Sequence, residues 1–182
     1  MSFALRHAAW LWLLLPLIAH GQPEPSPEDV QAARQVLGAY EGTWSGEYSL
    51  ELSGTNSSRT FSLEQRYWWE KGVLHGVSVY DKDGELSYAQ SRSFVLNERL
   101  LSEIEQDGET RRYQGRWADG TIVWLPLNPR EAMLRQTKEK IEPGEDGTPT
   151  LVWEGFERLQ RDGQTLMVLY RGRLEKVSER GQ

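Results

Sequence analysis

Tyr67, His75 and Arg92, with Gln65 and Gln90 beside them, are the residues best suited to gather into a polar site. Taking Glu70-Lys71-Gly72 as a three-residue loop pairs Trp69 with Val73, Tyr67 with His75 and Gln65 with Val77. A two-residue turn at Asp83-Gly84 then pairs His75 with Arg92, Val77 with Gln90, Val79 with Tyr88 and Val73 with Phe94. Side-chain direction repeats every two residues along a strand, so all of these share one face. Phe61, Leu63, Val73 and Val79 fall on the same face, which places it inward. The expected chemistry is capture of a carboxylate or polar head group. The Arg92 guanidinium supplies a rigid fork of donors, and Tyr67 and His75 add two hydrogen bonds. Trp44, Tyr48, Tyr113, Trp124, Trp153 and Tyr170 would then enclose an apolar body. The competing reading is a rung neutralised from within. Glu103 faces Arg92 if Asn97-Glu98 is a two-residue loop, and Ile104 does if the loop has three residues. On an outward face the same residues are solvated surface.

Other chemistries find less support. The sequence has no Cys, which removes disulfides, thiolate metal sites and cysteine nucleophiles together. No Gly-x-Ser-x-Gly elbow accompanies His75, and no His-rich metal motif is present. Asp81-Lys82-Asp83-Gly84-Glu85 has its Gly two positions early for a calcium loop and fits a hairpin turn. The expectation is therefore no catalytic residue, no metal and no cofactor. A net charge of −6 argues against a nucleic-acid partner, because such proteins concentrate positive charge against phosphates. Trp68 and Trp69 must point to opposite faces of one strand, leaving one outside, where the N-terminal helix could cover it.

Residues 1–21 read as a signal peptide. Arg6 and His7 precede an apolar run from Ala8 to Ala19, and Ala19-His20-Gly21 offers small residues for cleavage before Gln22. The run is shorter than the ~20 residues a spanning helix needs, although a retained amphipathic anchor is an alternative. Cleavage leaves His75 as the only histidine, and the expected product is exported to the periplasm or beyond the cell. No stable membrane span is expected after cleavage.

The elements that must position the polar residues follow from punctuation. Residues 22–41 form a linker and one helix, started by Ser26 as cap and Pro27, with Val30, Ala33, Val36, Leu37 and Tyr40 at helical spacing. Residues 42–178 form the barrel domain. Asp-Gly at 83–84, 107–108, 119–120, 146–147 and 162–163 supplies the positive φ of tight hairpins. Further breaks at Gly54–Ser58, Glu70–Gly72, Asn97–Glu98 and Asn128–Arg130 delimit about ten strands. The predicted fold is all-β: an antiparallel up-and-down barrel with one N-terminal helix. Two-residue turns at 119–120 and 162–163 place Gly115 opposite Trp124, Gly155 opposite Tyr170 and Trp153 opposite Gly172. A Gly facing a large aromatic lets a curved sheet pack its interior.

Gly42-Thr43-Trp44-Ser45-Gly46, directly after the helix, resembles the Gly-x-Trp opening of lipocalin and calycin barrels. With the second Gly it is most similar to nitrobindin-type ten-stranded barrels and related bacterial lipocalin-like proteins. The resemblance implies a barrel with an interior and a Trp44 packed across its closed end. Haem does not carry over, because that family ligates haem through a late His and this chain has none after His75; Tyr48 also stands where the family has Gly. The functional expectation is a non-catalytic binder of a small amphipathic or aromatic, carboxylate-bearing ligand. The alternative is an envelope or secreted interaction module with a filled barrel.

Overall fold

The computed structural model describes residues 25–177 apart from 56, 83, 145 and 162, so the proposed signal peptide and its cleavage point lie outside the described residues. Helix α1 (Pro27–Leu37) begins where its capping residues predict. The Asp29 N–H donates to Ser26 Oγ (3.1 Å), and the Ser26 N–H donates back to Asp29 Oδ2 (3.2 Å). This reciprocal box satisfies two amides that the first helical turn leaves without partners. Ala33 and Leu37 form the buried stripe, and a 3₁₀ turn (Gly38–Tyr40) adds buried Tyr40 before the first strand.

Ten strands follow: β1 (Gly42–Leu52), β2 (Ser58–Glu70), β3 (Val73–Lys82), β4 (Glu85–Leu96), β5 (Arg99–Gln106), β6 (Glu109–Ala118), β7 (Thr121–Pro126), β8 (Arg135–Pro143), β9 (Pro149–Arg161) and β10 (Gln164–Val177). Each pairs antiparallel with its sequence neighbours, and β1 pairs with β10 to close the barrel. Closure removes the exposed edges that an open sheet of this size would carry. The nine connections coincide with the nine breaks. The break at 128–130 contains a helical turn, α2 (Pro129–Ala132), capped by Asn128.

Two hairpins have the predicted register. Gly115 pairs with Trp124 and Trp117 with Ile122; Gly155 pairs with Tyr170 and Trp153 with Gly172. The loop after β2 differs. Glu70 pairs with Val73, so the turn has two residues, Lys71 and Gly72, both at positive φ (47° and 80°). Lysine seldom adopts that conformation, which is why composition favours a longer loop with only Gly left-handed. The consequence is a one-residue slip. Tyr67 pairs with Gly76, Trp68 with His75 and Gln65 with Ser78. The slip transfers an entire strand face from one side of the sheet to the other.

Trp44 is fully buried, and its indole N–H donates to the Tyr40 carbonyl (2.7 Å), tying the first strand to the 3₁₀ turn. Leu63, Ile122, Leu151 and Leu174 share its core. Farther along the lumen Tyr48 packs on Trp153 and Phe61, with ring centroids 5.0 and 5.9 Å apart, and Tyr170 follows Trp153 at 6.0 Å. Helix α1 covers the end that carries the β2–β3 and β4–β5 turns. Val30 lies against Gly72, and the Glu98 N–H donates to Asp29 Oδ1 (3.4 Å). Trp69 has the inward parity and sits beneath α1, with the Arg34 guanidinium 4.1 Å from its ring; the outward Trp68 is not covered by the helix. Among the described residues no helix is long and apolar enough to cross a membrane.

Candidate functional site

A cavity of about 140 Å³ lies inside the barrel beneath α1. Its walls come from the seven consecutive strands β2 to β8: Tyr67 from β2, Leu74 from β3, Ser91 and Ser93 from β4, Ser102 and Ile104 from β5, and Tyr113 from β6. Trp124 from β7 and Thr137 and Glu139 from β8 follow, while Leu37 and Tyr40 form the roof. The lumen has room because one wall is built of small residues. Gly76 lies opposite Tyr67, and a Cβ there would come within 2.7 Å of the Tyr67 ring and 2.5 Å of Ser91 Oγ. Ser93 Oγ and Ser102 Oγ are 3.0 Å apart and bond across β4 and β5.

Glu139 is the acidic group of this cavity. Its residue surface is only half-buried, yet the carboxyl is held inside, where the Trp124 indole N–H donates to Oε1 (2.6 Å) and the Tyr40 hydroxyl also donates to it. Burial pushes its carboxyl up to about 7, against those two hydrogen bonds, which favour the charged form. Burial and then the nearby Glu139 carboxyl raise the Tyr40 and Tyr67 hydroxyls far above the ordinary tyrosine value. Both therefore stay neutral hydrogen-bonding groups. The two rings meet edge to face with centroids 6.2 Å apart.

A second lumenal cluster lies farther along β8. Arg135 bonds Glu157 and donates to the Tyr113 hydroxyl (3.2 Å), and Thr137 Oγ1 bonds the Tyr170 hydroxyl (2.8 Å). This guanidinium is matched by its own carboxylate. Arg135 Nε and Trp153 Nε1 remain without a hydrogen-bond partner.

The predicted polar rung is divided between two faces. Tyr67, Gln65, Trp44, Tyr48, Trp124 and Tyr170 point inward, as do Tyr113 and Trp153; of these, Tyr67, Tyr113 and Trp124 line the cavity. Gln65 Nε2 donates to Ser78 Oγ (3.0 Å), while its Oε1 lacks a partner. His75, Arg92 and Gln90 keep the predicted pairing of β3 with β4 but lie on the outer face. There His75 stacks on Trp68 with centroids 5.8 Å apart. Arg92 Nε donates to Glu103 Oε2 (2.6 Å), and Arg112 Nε donates to Oε1 of the same carboxylate (3.1 Å). Asn97-Glu98 is thus the two-residue loop, and Glu103 neutralises Arg92 on the outside.

Sequence reasoning missed Glu139, Tyr40, Thr137 and the three serines. Two signals point to them. Along β8, Ile141 has the same parity as Glu139 and Thr137, and it is the only apolar aliphatic residue of that strand. On β2 and β3, the pairing of glycines with large aromatics selects Tyr67 opposite Gly76, and that register turns Ser91, Ser93 and Ser102 to the lumen. Comparison with protein-family models finds no match, and comparison with curated proteins finds none either. The reading of the site therefore stands on its geometry.

Proposed function

We propose that the protein is an exported, lipocalin-like barrel that binds one small amphipathic or aromatic molecule in its lumen without transforming it. The observation that supports this reading is the cavity itself, lined by aromatic rings and hydroxyl groups beneath a helical roof. Binding sites are commonly built from apolar walls with a few oriented polar groups. A volume of about 140 Å³ suits a single ring with a short substituent and excludes a fatty-acid chain. The Gly-x-Trp-x-Gly opening, with Trp44 buried at the helix-covered end, favours the calycin type of barrel. The amino-terminal apolar run favours export.

The reading is tested by titrating the protein with benzyl alcohol while following tryptophan fluorescence, since Trp124 stands in the cavity wall. Saturable quenching is expected, and Ser91→Leu, which fills the cavity, should abolish it while leaving the melting temperature within a few degrees of the parent. Quenching that survives Ser91→Leu would refute lumenal binding. The second reading, a filled barrel that works through its outer surface, is favoured by the modest cavity volume. It would gain if neither native mass spectrometry nor fluorescence finds any bound small molecule.

A further inference from the structure

The proposed lumenal site leaves open what charge its ligand carries, and the cavity walls bear on that directly. We infer that the ligand is a small organic ammonium ion, a ring or compact alkyl group bearing a protonated amine. This deepens the lumenal reading and rests on it.

Three observations converge. First, the cavity holds one carboxyl group, Glu139, whose hydrogen bonds come from the neutral donors Trp124 and Tyr40. No Lys, Arg or His among the described residues pairs with it. Lys138 and Lys140 flank it in sequence and so point out of the barrel, Arg135 is matched by Glu157, and Lys176 lies over Trp44 and donates to the Ala39 carbonyl (3.5 Å). Second, Tyr40, Tyr67, Tyr113 and Trp124 line the same space. Aromatic faces attract cations through their ring quadrupole, and a box of such rings is a recognised way to hold an ammonium group. Third, Ser91, Ser93, Ser102 and Thr137 line the cavity with hydroxyl oxygens that can accept N–H bonds. A carboxylate ligand would meet Glu139 as a like charge. A wholly apolar ligand would leave the carboxyl without a cationic partner. An ammonium ion satisfies the carboxyl, the rings and the hydroxyls together.

The test uses three probes of one shape and different charge: benzylamine, benzyl alcohol and benzoate, titrated calorimetrically into the intact protein at pH 7. Benzylamine should bind at least about tenfold more tightly than benzyl alcohol, with benzoate weakest. In Glu139→Gln the benzylamine and benzyl alcohol affinities should converge to within about threefold. A further measurement needs only the parent protein. At pH 6 the groups facing Glu139 are Tyr40, Tyr67 and Trp124, all of which hold their protons. Binding of benzylamine should therefore release a proton from Glu139, seen as a dependence of the binding heat on the buffer's ionisation enthalpy. Equal or tighter binding of benzyl alcohol or benzoate overturns the ammonium inference while lumenal binding stands. Failure of all three probes overturns the lumenal reading and this inference with it.

Discussion

Glu103 and Glu139 are carboxylates of the same barrel with opposite surroundings. Glu103 faces outward, yet it is buried because Arg92 and Arg112 close over it from the strands on either side. Glu139 faces inward and meets an indole, phenols and the cavity. The outer carboxylate completes a cross-strand ladder, Trp68–His75–Arg92–Glu103–Arg112, in which two guanidinium groups share one carboxylate. The inner carboxyl is hydrogen-bonded by neutral donors and has no cationic partner among the described residues. A paired charge serves the fold, whereas a charge held only by neutral donors retains a capacity to recognise a cation. The separation between these roles is the thickness of one sheet, and a one-residue register decides which residue has which.

The largest expected effect is the dependence of stability on the ionisation of Glu139. Its pKa is about 7 in the fold against an ordinary value of 4.5, so the folded state holds a proton that the unfolded chain has released. The associated stabilisation is fully present below about pH 4.5 and is lost as the pH rises toward 7. Above pH 7 the loss amounts to about 3 kcal/mol at most, since each tenfold difference in proton affinity between the folded and unfolded chain is worth about 1.4 kcal/mol. Glutamine cannot ionise, so Glu139→Gln should gain on the parent by that amount between pH 5 and pH 8.5 in urea unfolding. A constant offset between the two proteins across that range would mean that Glu139 ionises as it would in water. The comparison with Glu103 would then collapse.

The inner wall can be broken more locally at Gly76. A methyl group there would run into the Tyr67 ring and Ser91 Oγ. Gly76→Ala should cost about 2 kcal/mol through overpacking, measured by denaturant unfolding. A neutral substitution would show that this wall has slack, and that the cavity is not shaped by the pairing of Tyr67 with Gly76.

That pairing also marks how far the sequence could be read. Strand number, strand order and the helix start were legible because Asp-Gly pairs, Ser26 and Pro27 act locally, through φ and capping, and need no knowledge of distant contacts; closure was not, because it rests on the pairing of β1 with β10. The hairpins at 119–120 and 162–163 were legible for the same reason. The site was not, because Lys71 adopts a left-handed conformation that its side chain does not announce. One residue of slip then moved His75 and Arg92 to the apparent interior and hid Gly76. β4 reinforced the error. Its large residues Leu86 and Tyr88 are exposed, while Ser87, Ala89, Ser91 and Ser93 face the lumen. A narrow lumen filled by aromatics from the opposite wall requires small residues here, so the usual equation of apolar with inward fails. Glu139 escaped notice because β8 follows an irregular connection and offers only Ile141 to set its parity.

On the outer face the expected effects are smaller. Glu103→Gln keeps the shape of the side chain and removes the charge that Arg92 and Arg112 share. Both arginines retain contact with water, 30% and 59% of their side-chain surface. Solvent therefore screens their mutual repulsion, and a cost of about 1 kcal/mol is expected, shrinking as salt is added. Loss of about 3 kcal/mol or more would mean that the ladder, and not the lumen, is the electrostatically demanding side of the barrel.

His75 gives the finest discrimination, because its titration runs opposite to that of Glu139. Partial burial lowers its pKa below the ordinary histidine value; Glu70 opposes that effect and Arg92 adds to it, while Trp68 covers one ring face. The folded state thus prefers neutral imidazole. The stability tied to that preference is present above about pH 6.5 and is lost as the pH falls through the folded pKa. Being half-exposed and close to charges of both signs, the group should contribute less than about 1 kcal/mol. His75→Gln should therefore flatten the acid side of the pH–stability curve slightly, while Glu139→Gln flattens the neutral and alkaline side strongly. If the two substitutions bend the same limb, one of the two groups does not titrate in the direction that its burial dictates. If they bend opposite limbs in these proportions, the division of the predicted rung between outer face and lumen is visible in solution.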